Sequence, residues 1–226
     1  IAIDGPAGAG KSTIAKLIAK KKNYIYVDTG AMYRAMALYF LEAGISADDQ
    51  KKIESSVDQI DVTITYENGE QVVWLNGRNV NGLIRTEEVS RMASATSVNP
   101  KVRTKLVELQ RKLAAKENVV MDGRDIGTKV LPGAFFKIFM TASSSVRAKR
   151  RYDELIARGV ECDYNTILSD IEHRDYEDEN RELAPLKQAS DAIVIDTSDM
   201  TIEEASDKIT ELFKNKKEEY ERNHKG

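Results

Sequence analysis

The chain has 226 residues, 41% hydrophobic and 31% charged, with 34 Lys and Arg against 37 Asp and Glu. That balance excludes a disordered chain and gives no global basic bias for long nucleic acid or an anionic membrane surface. One cysteine, Cys162, excludes an intrachain disulfide framework and a cysteine-cluster metal site, two histidines leave little for zinc, and no apolar run reaches the roughly 18 residues of a spanning helix.

The sequence opens on Ile1-Ala2-Ile3-Asp4 with no basic, signal-like stretch, so a cytoplasmic protein is expected, with a few residues preceding this first strand. From there, short apolar runs alternate with longer helical patterns. Strands are expected over 1–4, 24–27, 118–122, 135–140 and 192–196, each rich in Val, Ile or aromatics and mostly apolar on both faces, as buried parallel strands are. Helices are expected over 12–22, 31–42, 100–116, 143–158 and 202–217. The alternation argues for a doubly wound α/β sheet. Two segments break it. Residues 61–80 alternate at period two around Glu67-Asn68-Gly69-Glu70, an Asn-Gly hairpin signal, and read as a small antiparallel insert of Val62, Ile64, Val72, Val73 and Leu75, with Tyr66 and Trp74 packing. Residues 147–181 are crowded with charge and interrupted by Gly159, which suits a surface helix pair able to move. The charged stretch after Lys214 reads as a fraying helix end, and Cys162, His173 and His224 have no partner pattern that suggests chemistry.

Gly5-Pro6-Ala7-Gly8-Ala9-Gly10-Lys11-Ser12-Thr13 fits G-x-x-x-x-G-K-[ST] between an apolar strand and an amphipathic helix. Its glycines let backbone N–H groups turn inward at the positive end of the following helix, which makes an anion nest. Lys11 is expected to reach the β- and γ-phosphates of a nucleotide, and the Ser12 hydroxyl to bind Mg²⁺. Asp122, ending the Val119-Val120-Met121 run, is placed to hold that ion directly or through a water, while Asp4 is expected to support the phosphate loop.

GTPases, ATPases and small-molecule kinases all use such a loop. The nearest match to the Asn-Lys-x-Asp element of a guanine reader is Asn215-Lys216-Lys217-Glu218, in a charged helix and ending in Glu, and a short acidic chain is a poor translocase. Arginines at strand ends point instead to a second phosphorylated ligand. Arg34 follows Asp28-Thr29-Gly30 after the second strand, Arg124 lies in Asp122-Gly123-Arg124-Asp125 after the third, and Arg174, Asp178 and Arg181 share a helical face by i, i+4 and i+7 spacing. Guanidinium forks meet phosphate oxygens in a bidentate way that lysine does not.

GPAGAGKST, VDTGAMYRA, VMDGRDIGT and RDYEDENRELAPL, in this order and over nearly the whole chain, resemble the bacterial cytidylate kinase family. The resemblance implies a P-loop nucleoside monophosphate kinase fold: a five-stranded parallel sheet flanked by helices, with a small antiparallel β insert and a helical lid. The domains it implies are a core of 1–60, 84–142 and 182–226, a hairpin region of the monophosphate-binding insert at 61–83, and a lid with its flanking helix at 143–181. It also implies transfer of the γ-phosphoryl of ATP to CMP or dCMP with Mg²⁺, in pyrimidine nucleotide metabolism, by a monomer that binds neither nucleic acid nor membrane. Carried over position by position, Gly5 to Thr13 with Arg150 and Arg151 would bind ATP, with Arg147 also in reach of its phosphates. Arg34, Arg124 and Arg181 would clamp the CMP phosphate, and Ser94, Arg103 and Asp125 would face cytosine. Thr29 stands where some relatives have Ser, Tyr33 would pack beside the nucleotide, and Arg174 and Asp178 would lie near the sugar. Lys11, Asp122, Arg124 and Arg181 would carry catalysis, Ser12 would bind the metal directly and Asp122 through water, and the loop after Asp196 would lie near adenine.

Overall fold

In a computed structural model, which describes residues 1–224, five strands form one parallel sheet in the order β2-β6-β1-β7-β8: β1 (Ala2–Asp4), β2 (Ile25–Asp28), β6 (Val119–Gly123), β7 (Lys137–Thr141) and β8 (Ile193–Asp196). A second, antiparallel sheet holds β3 (Val62–Glu67), β4 (Glu70–Leu75) and β5 (Arg78–Asn79). The expected hairpin is there, turned at Asn68 (φ 52) and Gly69 (φ 81), and a third short strand extends it. Every strand expected for the parallel sheet forms, with ends shifted by one or two residues. The exception to burial on both faces is β8, an edge strand whose Val194 is 48% exposed.

The chain divides into two compact units. The first holds Ile1–Tyr24, Val120–Arg181 and Pro185–Gly226. In it α1 (Lys11–Lys22) buries Ile14, Ala15, Ile18 and Ala19, and packs against α8 (Ile202–Asn223). Phe213 of α8 meets Tyr24, Phe135 and Phe136 edge-on, as aromatic quadrupoles prefer. A Thr201–Glu204 capping box starts α8, and the helix continues past Lys214 to Asn223, because Tyr220 packs on Phe135 and stacks with His224. Register sets Asp4 level with Gly123 on one side and Phe139 on the other, so the phosphate loop and the Arg124–Asp125 turn leave the sheet at the same height. The charged segment forms the helix pair α6 (Ser144–Ala157) and α7 (Tyr164–Asn180), packed on each other with Tyr152 against Tyr164.

The second unit holds Ile25–Val119 and Glu182–Ala184. Its centre is α2 (Thr29–Glu42), whose Met32, Ala35, Met36 and Phe40 are fully buried, packed on α4 (Glu87–Thr96) and on β4. The helices α3 (Gln50–Val57) and α5 (Pro100–Lys116) pack together, with Asn99 capping α5 at the N–H groups of Lys101 and Val102.

Candidate active site

The phosphate loop runs from β1 to α1 in a conformation its glycines permit. Gly5 has φ 148, and a Cβ there would run into the Met140 carbonyl of β7, so any other residue would push the loop off the sheet. Lys11, the first residue of α1, is 5% exposed and donates to Pro6 O at 2.6 Å. Burial, helped by the Arg124 cation, lowers its pKa to about 7, against the favourable charges of Asp122, Asp4 and Asp178. Ser12 Oγ donates to Asp122 Oδ2 at 2.9 Å. A hydroxyl and a buried strand-end carboxylate in contact are hard oxygen donors and fit Mg²⁺, which takes few protein ligands and keeps waters and phosphates for the rest of its shell.

Beside this loop the first unit gathers three more of the sequence-derived residues. Arg124 Nε donates to Asp178 Oδ2 at 2.8 Å and Arg181 Nη1 to Asp178 Oδ1 at 3.3 Å. Burial works against the Asp178 charge, yet Arg124, Arg181 and Arg174 hold its carboxyl below the usual carboxylate range. Arg181 is the C-cap of α7 and not a member of its last turn. Asp4 braces a different loop from the one expected: its carboxylate accepts from Ile126 N and Gly127 N, both at 2.7 Å. These N–H groups open the π-helical turn Ile126–Val130, so Asp4 ties down the segment that carries Arg124 and the buried Asp125. Burial pushes the Asp4 pKa up to about 6 in spite of both bonds.

The arginines of α6 differ in their engagement. Arg147 is buried, donates to Ala142 O and to Ala7 O of the phosphate loop, and forms a bidentate pair with Asp175 of α7. Arg150 donates to Thr197 O in the loop after β8, and Arg151 is exposed and pairs with Glu154.

The second unit carries Thr29, Tyr33, Arg34, Ser94 and Arg103. Thr29 is buried at the start of α2, and Ser94 lies half-buried on α4. The buried Arg103 guanidinium lies 5.7 Å from the Tyr33 ring centroid, a cation–π contact. Arg34 Nη2 donates to Asp28 Oδ2 at 3.1 Å, while Asp28 Oδ1 caps α2 by accepting from Ala31 N at 2.8 Å. Motif reading missed Arg85, whose Nη2 reaches the same Asp28 oxygen at 3.1 Å, and Gln71, whose side-chain amide pairs with both backbone polar groups of Asp28. Asp175 was missed as well. Sequence separations of 57 residues for Arg85 and 43 for Gln71 leave no local pattern to read.

A family model described as "Cytidylate kinase" matches residues 1–215. The cytidylate kinase of Caldicellulosiruptor saccharolyticus is 53% identical over 213 residues, 94% of each chain. That of Lactobacillus gasseri is 49% identical over 216 residues, 96% of this chain and 94% of its own, and that of Bacillus subtilis is 46% identical over 216 residues, 96% of each. Among solved structures, an uncharacterized protein from Eubacterium ventriosum superposes over 95% of this chain and 97% of its own with a TM-score of 0.51 at 16% identity, a likeness of fold. With the family model matched along nearly its whole length, and relatives near half identity across it, the chain belongs to the cytidylate kinase family.

Proposed function

We propose that this protein transfers the γ-phosphoryl group of ATP to CMP or dCMP, giving ADP and CDP or dCDP. The observation that carries the reading is the cluster in the first unit, where a buried Lys11 on a phosphate loop shares its surroundings with Arg124, Asp178 and Asp122. Two phosphorylated ligands need more cation than one loop supplies, and the arginines of this cluster add it.

Lys11 exchanges its Pro6 carbonyl for the β- and γ-phosphate oxygens of ATP, while the loop N–H groups hold the chain of phosphates. Ser12 would hold Mg²⁺ directly and Asp122 would hold it through a water, and the ion would supply neutralisation of phosphate charge. Arg34, Arg124 and Arg181 hold the phosphate of CMP, the last two from the Asp178 carboxylate that already orients them. That phosphate is the nucleophile and is largely dianionic at neutral pH, with a second pKa of about 6, so no general base is required. Catalysis is then positioning and charge neutralisation by Lys11, Arg124 and Arg181. Asp125 accepts from the cytosine amino group and Arg103 donates to the ring acceptors, with Ser94 beside them, whereas uracil would set a carbonyl against Asp125. Leaving that buried group unpaired costs about 1–3 kcal/mol, roughly ten- to hundredfold in discrimination. Thr29 and Tyr33 line the nucleotide, Arg174 and Asp178 take the sugar, and the segment from about Ser143 to Asp170 closes as a lid whose Arg150 and Arg151 approach ATP. The single cysteine suits a reducing, cytoplasmic compartment.

ADP formation measured by a coupled assay across CMP, dCMP, UMP, AMP, GMP and dTMP tests the reading. At least a tenfold preference for the cytidylates is expected; equal turnover of UMP would remove Asp125 as the base reader, and no turnover with any monophosphate would overturn the kinase itself.

A further inference from the structure

We propose that Arg85 is a further guanidinium ligand for the phosphate of the acceptor nucleotide, set beside Arg34 by the Asp28 carboxylate. The assignment rests on the monophosphate kinase reading above and adds to it a residue that no motif of the sequence marks.

Asp28 is held at every polar atom. Its N–H donates to Gln71 Oε1 at 2.9 Å and its C=O accepts from Gln71 Nε2 at 3.2 Å, so a side chain from β4 takes both backbone groups. Oδ1 accepts from Ala31 N and fixes the carboxylate on the first turn of α2. Oδ2 is left to accept from Arg34 Nη2 and Arg85 Nη2, each at 3.1 Å. Asn81 secures the root of the same strand by accepting from Val73 N and donating to Gln71 O, four residues before Arg85. The result is a rigid carboxylate carrying two guanidinium groups on one oxygen.

One negative charge against two positive ones leaves an excess cation at this spot. Each guanidinium engages Asp28 through Nη2, which leaves the rest of its fork for another acceptor. For Arg34 that remainder includes Nε, a buried donor with no hydrogen-bond partner, a costly arrangement unless a ligand supplies the acceptor. Gly30 makes room for it, since a Cβ at that position would lie 3.0 Å from Arg34 Nη1. The Arg85 side chain is 66% exposed, and an ion pair so open to water adds little to folding, which gives stability no strong reason to hold it there. What two planar forks converging on one point fit is a tetrahedral dianion, each fork offering parallel N–H bonds to a pair of its oxygens. The acceptor phosphate is the dianion this reaction brings.

The test is calorimetric titration of CMP and of cytidine into the wild-type chain, Arg85→Ala and Arg85→Lys, with AMP and UMP as further probes. The charge-assisted bonds at stake correspond to roughly a ten- to hundredfold loss of CMP affinity in Arg85→Ala, with cytidine affinity within about twofold of wild type. Arg85→Lys, which keeps the charge without the fork, is expected to recover part of the loss. In steady state KM for CMP rises while KM for ATP holds. CMP affinity within twofold of wild type in Arg85→Ala would overturn the proposal, and so would an equal loss for cytidine, which would mark Arg85 as a structural tether. If UMP binds the wild type as tightly as CMP, the base assignment fails, yet the Arg85→Ala loss still registers on every monophosphate that binds. If no monophosphate binds, both fall. Should Arg85→Ala unfold, the comparison of CMP with cytidine on Arg85→Lys decides.

Discussion

Lys11 waits for its nucleotide in a site that favours the neutral amine, with a buried Nζ donating to the Pro6 carbonyl and a pKa near 7. A polyphosphate anion reverses that preference, because a negative charge within contact stabilises the ammonium. At pH 7.5 binding of magnesium-ATP is therefore expected to take up more than about half a proton from buffer, given a resting pKa close to 7. Calorimetry in two buffers of different ionisation enthalpy measures this directly; a binding enthalpy independent of buffer would mean that Lys11 is already fully charged at rest. The arginines of α6 show what a sequence leaves hidden at this scale. Arg147, Arg150 and Arg151 look interchangeable in the string of residues, but only their folded partners separate a buried cation spent on Asp175 and two carbonyls from an exposed one paired with Glu154.

At the scale of elements, α6 and α7 are joined to the phosphate loop through the Arg147 guanidinium, which spans Asp175 and Ala7 O. Asp175→Ala strands this cation in a site where it is 4% exposed, a change that costs about 3–5 kcal/mol. A fall in the unfolding midpoint on the order of 10 °C is expected for a chain of this size, together with a raised KM for ATP. Thermal melts and initial rates check both, and an unchanged midpoint would show that Arg147 finds another acceptor. The parallel strands were legible because each is a compact apolar run, and the phosphate loop because its residues are consecutive. The helices α3 and α4 were not. Ile53 and Val57 are the buried residues of α3, and Val89, Met92, Ala93 and Thr96 those of α4, too short and polar an apolar face to stand out without the helices they pack on. Asp28 was quoted in its motif, but its work depends on Gln71 and Arg85, which arrive only through tertiary folding.

For the whole molecule, Asp4 makes stability fall as pH rises, while the lowered pKa of Lys11 acts in the opposite sense, chiefly above pH 7. The Asp4 pKa is raised from 3.8 to about 6, so the folded chain holds a proton that the unfolded chain has already lost, and stability falls as pH rises through that window. Asp178, Asp191 and Asp196 are shifted the other way and are ionised in both states above about pH 5, so they stabilise throughout this range. Urea midpoints are expected to drop between pH 5 and 6.5 in the wild type and to stay flatter in Asp4→Asn; the same drop in both would place the titration elsewhere. Among the described residues no helix is long and apolar enough to cross a membrane. One feature of the small sheet reaches further than its size. The exposed Asn68–Gly69 tip is joined by a short ladder to Gln71, and through it to the backbone of Asp28, whose carboxylate holds Arg34 and Arg85. Exposed turn tips accept insertions and labels with little cost to the fold. A fluorophore on that tip would give the protein an optical reporter mechanically connected to the arginines, so that monophosphate arrival could be followed in real time without watching the reaction it precedes.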